Sequence, residues 1–299
     1  MGTTYPSLPR RERALVLGGG GSTGNAWLIG VVAGLLEAGL DVARADLTVG
    51  TSAGSTAAAQ LGGASAIDLY AAVLGSEAGP PRAGGARAPG GSVSDHLERM
   101  RSIIAGCGDA AELRRRMGAA ALERSAAADG SARERWRAVV AARLPSTRWP
   151  DRPLLITAVD AETGEPAVFG NDSGVDLADA VAASCSSSLA YEIGGRRYVD
   201  GGYRSNADNA DLAAGHERVL VLSPLGGRSL HPPAWGTHLS TQVDELRARG
   251  SRVETVFPDS SSEHLFGVNA MNVSLRPDAA RAGHDQGASL AGRLAELWG

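Results

Sequence analysis

Lysine is absent from this sequence: its 29 basic residues are all arginine, set against 33 acidic ones for a formal charge of -4. That absence excludes Schiff-base chemistry, Ser-Lys pairs and a Walker-type phosphate lysine together. Cysteine is scarce too. Cys107 and Cys185 cannot build a disulfide framework and neither stands at a metal-ligand spacing, so both read as buried thiols, and no metal or cofactor is expected. Aromatic residues make up 4%, with the five tryptophans too dispersed to mark a binding stripe. The arginines are scattered, with small groups at Arg10-Arg11 and Arg114 to Arg116; lacking a basic stripe, the chain is not expected to bind nucleic acid. No apolar run reaches membrane-spanning length. The longest near the start, AWLIGVVAGLLEAGL, follows a glycine loop instead of a basic leader, so the expectation is a cytoplasmic protein without signal peptide or anchor.

What is present is ordinary globular composition, 43% hydrophobic over 299 residues. The expectation is one α/β domain over 1–299 with a helical insertion at 76–144. ALVL at 14–17 reads as a buried strand, and the helical spacing of Trp27, Leu28, Val31, Val32 and Leu35 after the glycines predicts a helix. DLTVG at 46–50 predicts a second strand and SAGSTAAAQLGG a second helix. The stretch 76–92 is too rich in Gly and Pro for either, and three Ala- and Arg-rich helices up to residue 144 could cap the sheet as a lid. Further strands are predicted at 153–160, 166–170, 217–224 and 252–258, with a short edge strand in RRYVDGG. Helices are predicted at 176–187, 239–250 and 278–298, the last preceded by a polar loop after residue 258, with no internal repeat.

Two motifs carry candidate chemistry. GGGGSTG, Gly18 to Gly24, sits between the first strand and helix. Its Gly19, Gly21 and Gly24 match a dinucleotide fingerprint, for which Asp41 or Asp46 could serve as ribose acid, but the second strand ends instead at Gly50-Thr51-Ser52. The alternative use of such glycines is an oxyanion hole, where outward backbone N–H groups at a helix start meet a developing negative oxygen. LTVGTSAGST then places Ser52 between Gly50 and Gly54, the pattern of a nucleophile elbow. A serine needs a base. Asp200 or Asp211 followed by His238 or His264 would make a triad, with His96 in the lid region, His216, His231 and His284 as the remaining histidines; Asp200, before Gly201 and Gly202, could instead pair with Ser52 directly. Carboxylates titrate ordinarily at about 4, so a Ser-Asp dyad requires a sheltered site. Asn206 and Asn209 follow as candidates for orienting Asp200 or satisfying the loop.

Taken together, Gly18 to Gly24, Gly50 to Gly54 and Asp200-Gly201-Gly202 resemble the motifs of the patatin-like phospholipase family, bacterial members in particular. LLITAVDAETGEPAVF, AVAASCSSSLAYEIGGRRYVDGG and RSNADNADLA extend the likeness over most of the chain. The resemblance implies a three-layer α/β/α fold with a mostly parallel central sheet and an inserted helical lid. It also implies Ser52 as nucleophile, Asp200 as base, and Gly19, Gly20 and Gly21 as the oxyanion hole of a hydrolase for phospholipid-like acyl esters. Peripheral membrane contact is compatible with such a substrate, and the sequence does not fix the oligomeric state. The same acyl-enzyme would also serve an acyltransferase or cyclase, and a non-catalytic lipid-binding protein is a further reading. Two positions depart from the family pattern: Thr23, where a loop cation is usual, and Ser188, where a proline is usual.

Overall fold

A computed structural model describes residues 12–75, 93–128 and 130–299. β1 (Arg13–Leu17) leads through the glycine loop into α1 (Gly21–Glu37), and β2 (Leu47–Gly50) leads through Thr51 and Ser52 into α2 (Ala53–Gly63). Next come α3 (Ala66–Gly75), α4 (Val93–Ala105), α5 (Ala110–Ala126) and α6 (Ala132–Ala141). The chain then returns to the sheet with β3 (Leu154–Asp160) and β4 (Pro166–Phe169), followed by α7 (Leu177–Ser184), β5 (Tyr191–Ile193) and β6 (Arg196–Asp200). β7 (Arg218–Leu222), α8 (Leu239–Ala248), β8 (Arg252–Val256) and α9 (Arg276–Trp298) complete it.

The sheet runs β5-β6-β3-β2-β1-β7-β8, with β4 on β3. Strands β3, β2, β1, β7 and β8 run parallel to one another, while β4 and β6 pair antiparallel with β3 and β5 pairs antiparallel with β6. Alternation within each strand divides the core. Leu15, Leu17, Ile156, Leu220 and Leu222 face the layer containing α1, α2, α7 and α9. Ala14, Val16, Val49, Val219 and Val221 face α8 and the short turn at Ala210–Ala213. The result is the three-layer α/β/α architecture expected from the sequence. Apolar on nearly every side, α1 is buried from Thr23 to Leu35, because α9 covers the face that the sheet does not. The two helices approach through small residues: a side chain at Gly30 or Gly34 would strike the carbonyls of Ala280 or His284, and one at Gly283 or Gly287 those of Trp27 or Val31. No single described helix is long and apolar enough to cross a membrane, although α2 and α3, bent by 118°, pass by length and composition as a pair.

Some expectations need adjustment. α1 begins at Gly21, not after the loop, so the last glycines form its first turn. β6 is not an edge strand, since the hairpin through Gly194 and Gly195 adds β5 outside it. The short strand β5 and helix α3 were not anticipated, and three 3-10 turns occupy Ser260–Leu265, Gly267–Asn269 and Val273–Leu275 where only a polar loop was expected. The Gly/Pro-rich connection at 76–92 lies outside the described residues.

Candidate active site

The sheet register explains how Ser52 and Asp200 meet. On one edge of β3, β2 pairs with residues 154 to 156 and ends with Gly50 opposite Ile156. β4 occupies the other edge, so β6 joins the edge that β2 has vacated, with Asp200 opposite Ala158. Two residues of strand are only about 7 Å, and the chain leaving β2 turns there. The Ser52 Oγ–H donates to Asp200 Oδ2 at 2.9 Å, and the Gly202 N–H donates to Asp200 Oδ1 at 2.8 Å. Asp200 is buried and Ser52 half-buried. Burial pushes the Asp200 carboxyl up to about 6, against the pull of the Gly202 N–H and the Ser52 hydroxyl.

Ser52 sits at φ 51°, ψ -115°, a region that a residue with a β-carbon adopts only when its surroundings impose it. Several contacts do so. Its N–H donates to Ser184 Oγ at 2.9 Å, while its carbonyl accepts from Ser55 Oγ at 2.6 Å and Cys185 Sγ at 3.2 Å. Two motif glycines permit the packing: a side chain at Gly54 would strike the Leu17 carbonyl, and one at Gly201 would strike Thr157. Gly50 similarly lies against Ser55, Gly18 against Asp208 and Gly24 against Pro224.

The glycine loop faces this serine; a β-carbon on Gly19 would stand 3.5 Å from Ser52 Cβ. One of the three expected oxyanion donors is already engaged, however. Gly19 N–H donates to the Ala207 carbonyl at 2.7 Å, as Gly18 N–H does to Leu222 at 2.9 Å. Gly20 and Gly21 keep backbone N–H groups without an acceptor among the described residues, and so does Ala53, the first residue of α2. Ala53 is a donor that the glycine-centred reading overlooked, although a residue directly after an elbow serine is a natural place to look.

The triad alternative is not assembled. Asp211 is held by Arg204 at 2.8 Å, His238 Nε2 lies 2.8 Å from the His231 carbonyl and His264 Nδ1 lies 3.0 Å from that of Ser261. The His96 side chain lies outside the described residues. The dinucleotide reading also lacks its acid: Asp46 stands at the opposite end of β2, accepting the Arg13 N–H at 2.9 Å, and Asp41 precedes a 3-10 turn at Val42–Arg44. Among the described residues no group of three or more His, Cys, Asp or Glu could hold a metal.

Three side chains and one backbone carbonyl support the site. Asn209, fully buried at φ 55°, donates to Thr51 Oγ1 and the Gly201 carbonyl, both at 3.0 Å, and so ties the serine turn to the aspartate turn. Asn206 Oδ1 accepts the N–H groups of Asp208 and Asn209 at 2.7 and 2.8 Å. Ser184 and Ser186 grip both turns, the first through the Ser52 N–H and the second through its carbonyl, which accepts the Asp200 N–H at 2.9 Å. Sequence marked this segment only as a likeness. It gave no signal at all for Arg276, whose guanidinium donates to the Ser22 carbonyl at 2.8 Å and Asn25 Oδ1 at 3.1 Å. This cation from α9 reaches the first turn of α1, one residue from Thr23, where the loop cation is missing. Thr23 itself is buried with its N–H on the Ala270 carbonyl at 3.0 Å, and Ser188 offers its carbonyl to Arg124 at 2.8 Å. Beside the glycine loop, burial pushes Asp208 up to about 7, and its Oδ1 has no hydrogen-bond partner.

A family model described as patatin-like phospholipase matches residues 15–213. No curated protein matches the chain. Among solved structures, VipD from Legionella pneumophila is similar at 14% identity and a TM-score of 0.45, over 96% of this chain and 68% of that one. The type III effector ExoU is similar at 17% identity and a TM-score of 0.34, over 94% of this chain and 54% of its own. Full-length ExoU of Pseudomonas aeruginosa, in complex with SpcU, is similar at 17% identity and 0.33, over 93% and 53%. The chain thus spans about half the length of the ExoU chains.

Proposed function

Because the chain belongs to the patatin-like phospholipase family, with a matched segment of 15–213, we propose that it is a serine acyl-ester hydrolase acting on phospholipid-like substrates through Ser52 and Asp200. The observation that carries the proposal is the 2.9 Å hydrogen bond from Ser52 Oγ to Asp200 Oδ2, made from a left-handed backbone at the serine. In this reading Ser52 Oγ attacks the ester carbonyl as its proton passes to Asp200. The tetrahedral oxyanion is met by the N–H groups of Gly20, Gly21 and Ala53, at the starts of α1 and α2, where both helix dipoles favour negative charge. Collapse breaks the bond to the alkoxy oxygen, which takes the proton from Asp200 and leaves as alcohol or lysophospholipid. Water then gives its proton to Asp200 and attacks the acyl-serine; collapse breaks the acyl–Oγ bond, Ser52 Oγ takes the proton back from Asp200, and the fatty acid leaves.

A carboxylate at 4 would be a feeble base, but one raised to about 6 by burial is better matched to this task. Helices α4 to α6 act in this proposal as the lid over the acyl chain. A fluorophosphonate probe on the whole chain tests the assignment: labelling should vanish in Ser52→Ala and fall sharply in Asp200→Asn. Labelling that persisted in Ser52→Ala would overturn it.

A further inference from the structure

We propose that the segment from Phe266 to Leu275 is a membrane-docking loop that seats the mouth of the Ser52 site on an anionic phospholipid bilayer, an inference that rests on the lipid-ester reading above. The starting observation is where exposed apolar surface lies. Val268, Met271 and Val273 are 66%, 58% and 70% exposed, whereas Ile67, Val139, Val168, Leu230 and Phe257 reach only 36 to 41% and are scattered. The most exposed large apolar side chains among the described residues therefore fall within six positions of one another. Scattered apolar residues need no explanation, but clustered tips do.

The loop presents these tips on a fixed backbone. Leu265 and Phe266 are 3% exposed and anchor it in the core, Phe266 meeting the edge of Trp27. Between the tips, Asn269 Nδ2 donates to the His264 carbonyl at 2.8 Å, and Asn272 Oδ1 accepts the Ser274 hydroxyl at 2.8 Å. Valine and methionine tips alternate with Asn269, Asn272 and Ser274, so apolar groups would enter the acyl region while amides and hydroxyl stay among headgroups.

Position identifies the occupant. The Ala270 carbonyl accepts the Thr23 N–H, and the Met271 thioether stands so close to Gly21 that a β-carbon there would lie 3.0 Å from sulfur. The loop is thus built onto the proposed oxyanion turn, so a bilayer seated on it lies beside that turn. Charge does not oppose this: the chain has no carboxylate between Glu263 and Asp278, and in α4, which packs against the turn at Gly267–Asn269, exposed Arg99 and Arg101 balance Asp95 and exposed Glu98. Protruding apolar tips on a stretch free of carboxylates can enter a phospholipid bilayer without repulsion from its anionic headgroups.

Co-sedimentation of the full chain with phosphatidylcholine–phosphatidylglycerol vesicles tests this. The double variant Val268→Ser, Val273→Ser should bind vesicles roughly tenfold or more weakly, while Val168→Ser binds like the parent and all three hydrolyse a soluble short-chain ester equally. Vesicle binding unchanged in the double variant, no binding by the parent, or a parent dimer abolished by the same two substitutions would each overturn the proposal, the last in favour of a second copy. Failure of the hydrolase reading is distinguishable: soluble-ester hydrolysis surviving in Ser52→Ala would sink that reading, while the vesicle comparison reads only the loop.

Discussion

The units β1-loop-α1 and β2-turn-α2 lie side by side in the sheet, with Leu17 opposite Gly50 where both strands end. Each enters its helix without a side-chain cap, and each places one residue in the left-handed region at that entry. In the first unit it is Gly21 at φ 67°, in the second Ser52 at φ 51°. Glycine adopts this backbone without steric cost, whereas a residue with a β-carbon is strained by about 1–3 kcal/mol. The first unit offers backbone N–H groups, so it can be made of glycine. In the proposed reaction its neighbour presents a hydroxyl, so it carries the strain.

The division of labour predicts how each unit fails. Removing the second unit's side chain, or its partner, should be most severe: Ser52→Ala and Asp200→Asn should each lower kcat by roughly 10⁴-fold or more, measured on a soluble ester, with both proteins still folded by circular dichroism. A residual rate near wild type in either variant would break the pairing. In the first unit, Gly21→Ala forces a β-carbon to within 2.7 Å of the Ala270 carbonyl at positive φ, tilting its N–H away from the reacting oxygen. A kcat loss of about 10²–10³-fold is expected, with fluorophosphonate labelling slowed but not abolished. An unaffected rate would remove Gly21 from the oxyanion hole.

Titration offers a third way to sharpen the contrast, because activity and stability should move in opposite directions. Asp200 must be ionised to accept a proton, so kcat/KM should rise as pH passes about 6 and level off above it. Raised folded-state values mean that the fold binds these protons more tightly than the unfolded chain does. The stability contributed by Asp200 and Asp208 is therefore fully present below about 4 and lost as pH rises through about 6 and about 7. The loss is on the order of 3 kcal/mol from Asp200 and about 4 kcal/mol from Asp208 across that window. Thermal denaturation of wild type should show Tm falling from pH 5 to pH 8, with a shallower fall in Asp208→Asn; an identical slope would mean that Asp208 does not titrate there.

The parts of this site legible in the sequence are those where one residue type answers one backbone demand. Glycines beside a serine, glycines after an aspartate and short apolar strands point to the α/β frame and to Ser52 and Asp200 as candidates. Pairings between distant segments were hidden. Nothing local to Ala207 shows that its carbonyl takes the Gly19 N–H, or that Arg276 would reach Ser22 across 254 positions. Those contacts follow from β7 and α9 packing beside β1 and α1, a consequence of sheet order that residue periodicity cannot express. The loop at 266–275 is legible only as polar because its apolar residues follow neither a helical nor a strand period.

The smallest effect tests the strain itself. Ser52→Ala and Ser52→Gly both delete the hydroxyl and leave Asp200 short of the same hydrogen bond, so their difference isolates the β-carbon at φ 51°. Glycine releases about 1–3 kcal/mol of backbone strain but gives back about 0.5–1 kcal/mol through the larger entropy of the unfolded chain. Ser52→Gly should therefore be more stable than Ser52→Ala by about 1 kcal/mol, a Tm difference of roughly 2–4 °C for a domain of this class. Differential scanning calorimetry of the two inactive proteins at one pH resolves that gap. If the alanine variant melted at or above the glycine variant, the elbow would be relaxed, and the contrast between the two units would reduce to the presence of a hydroxyl.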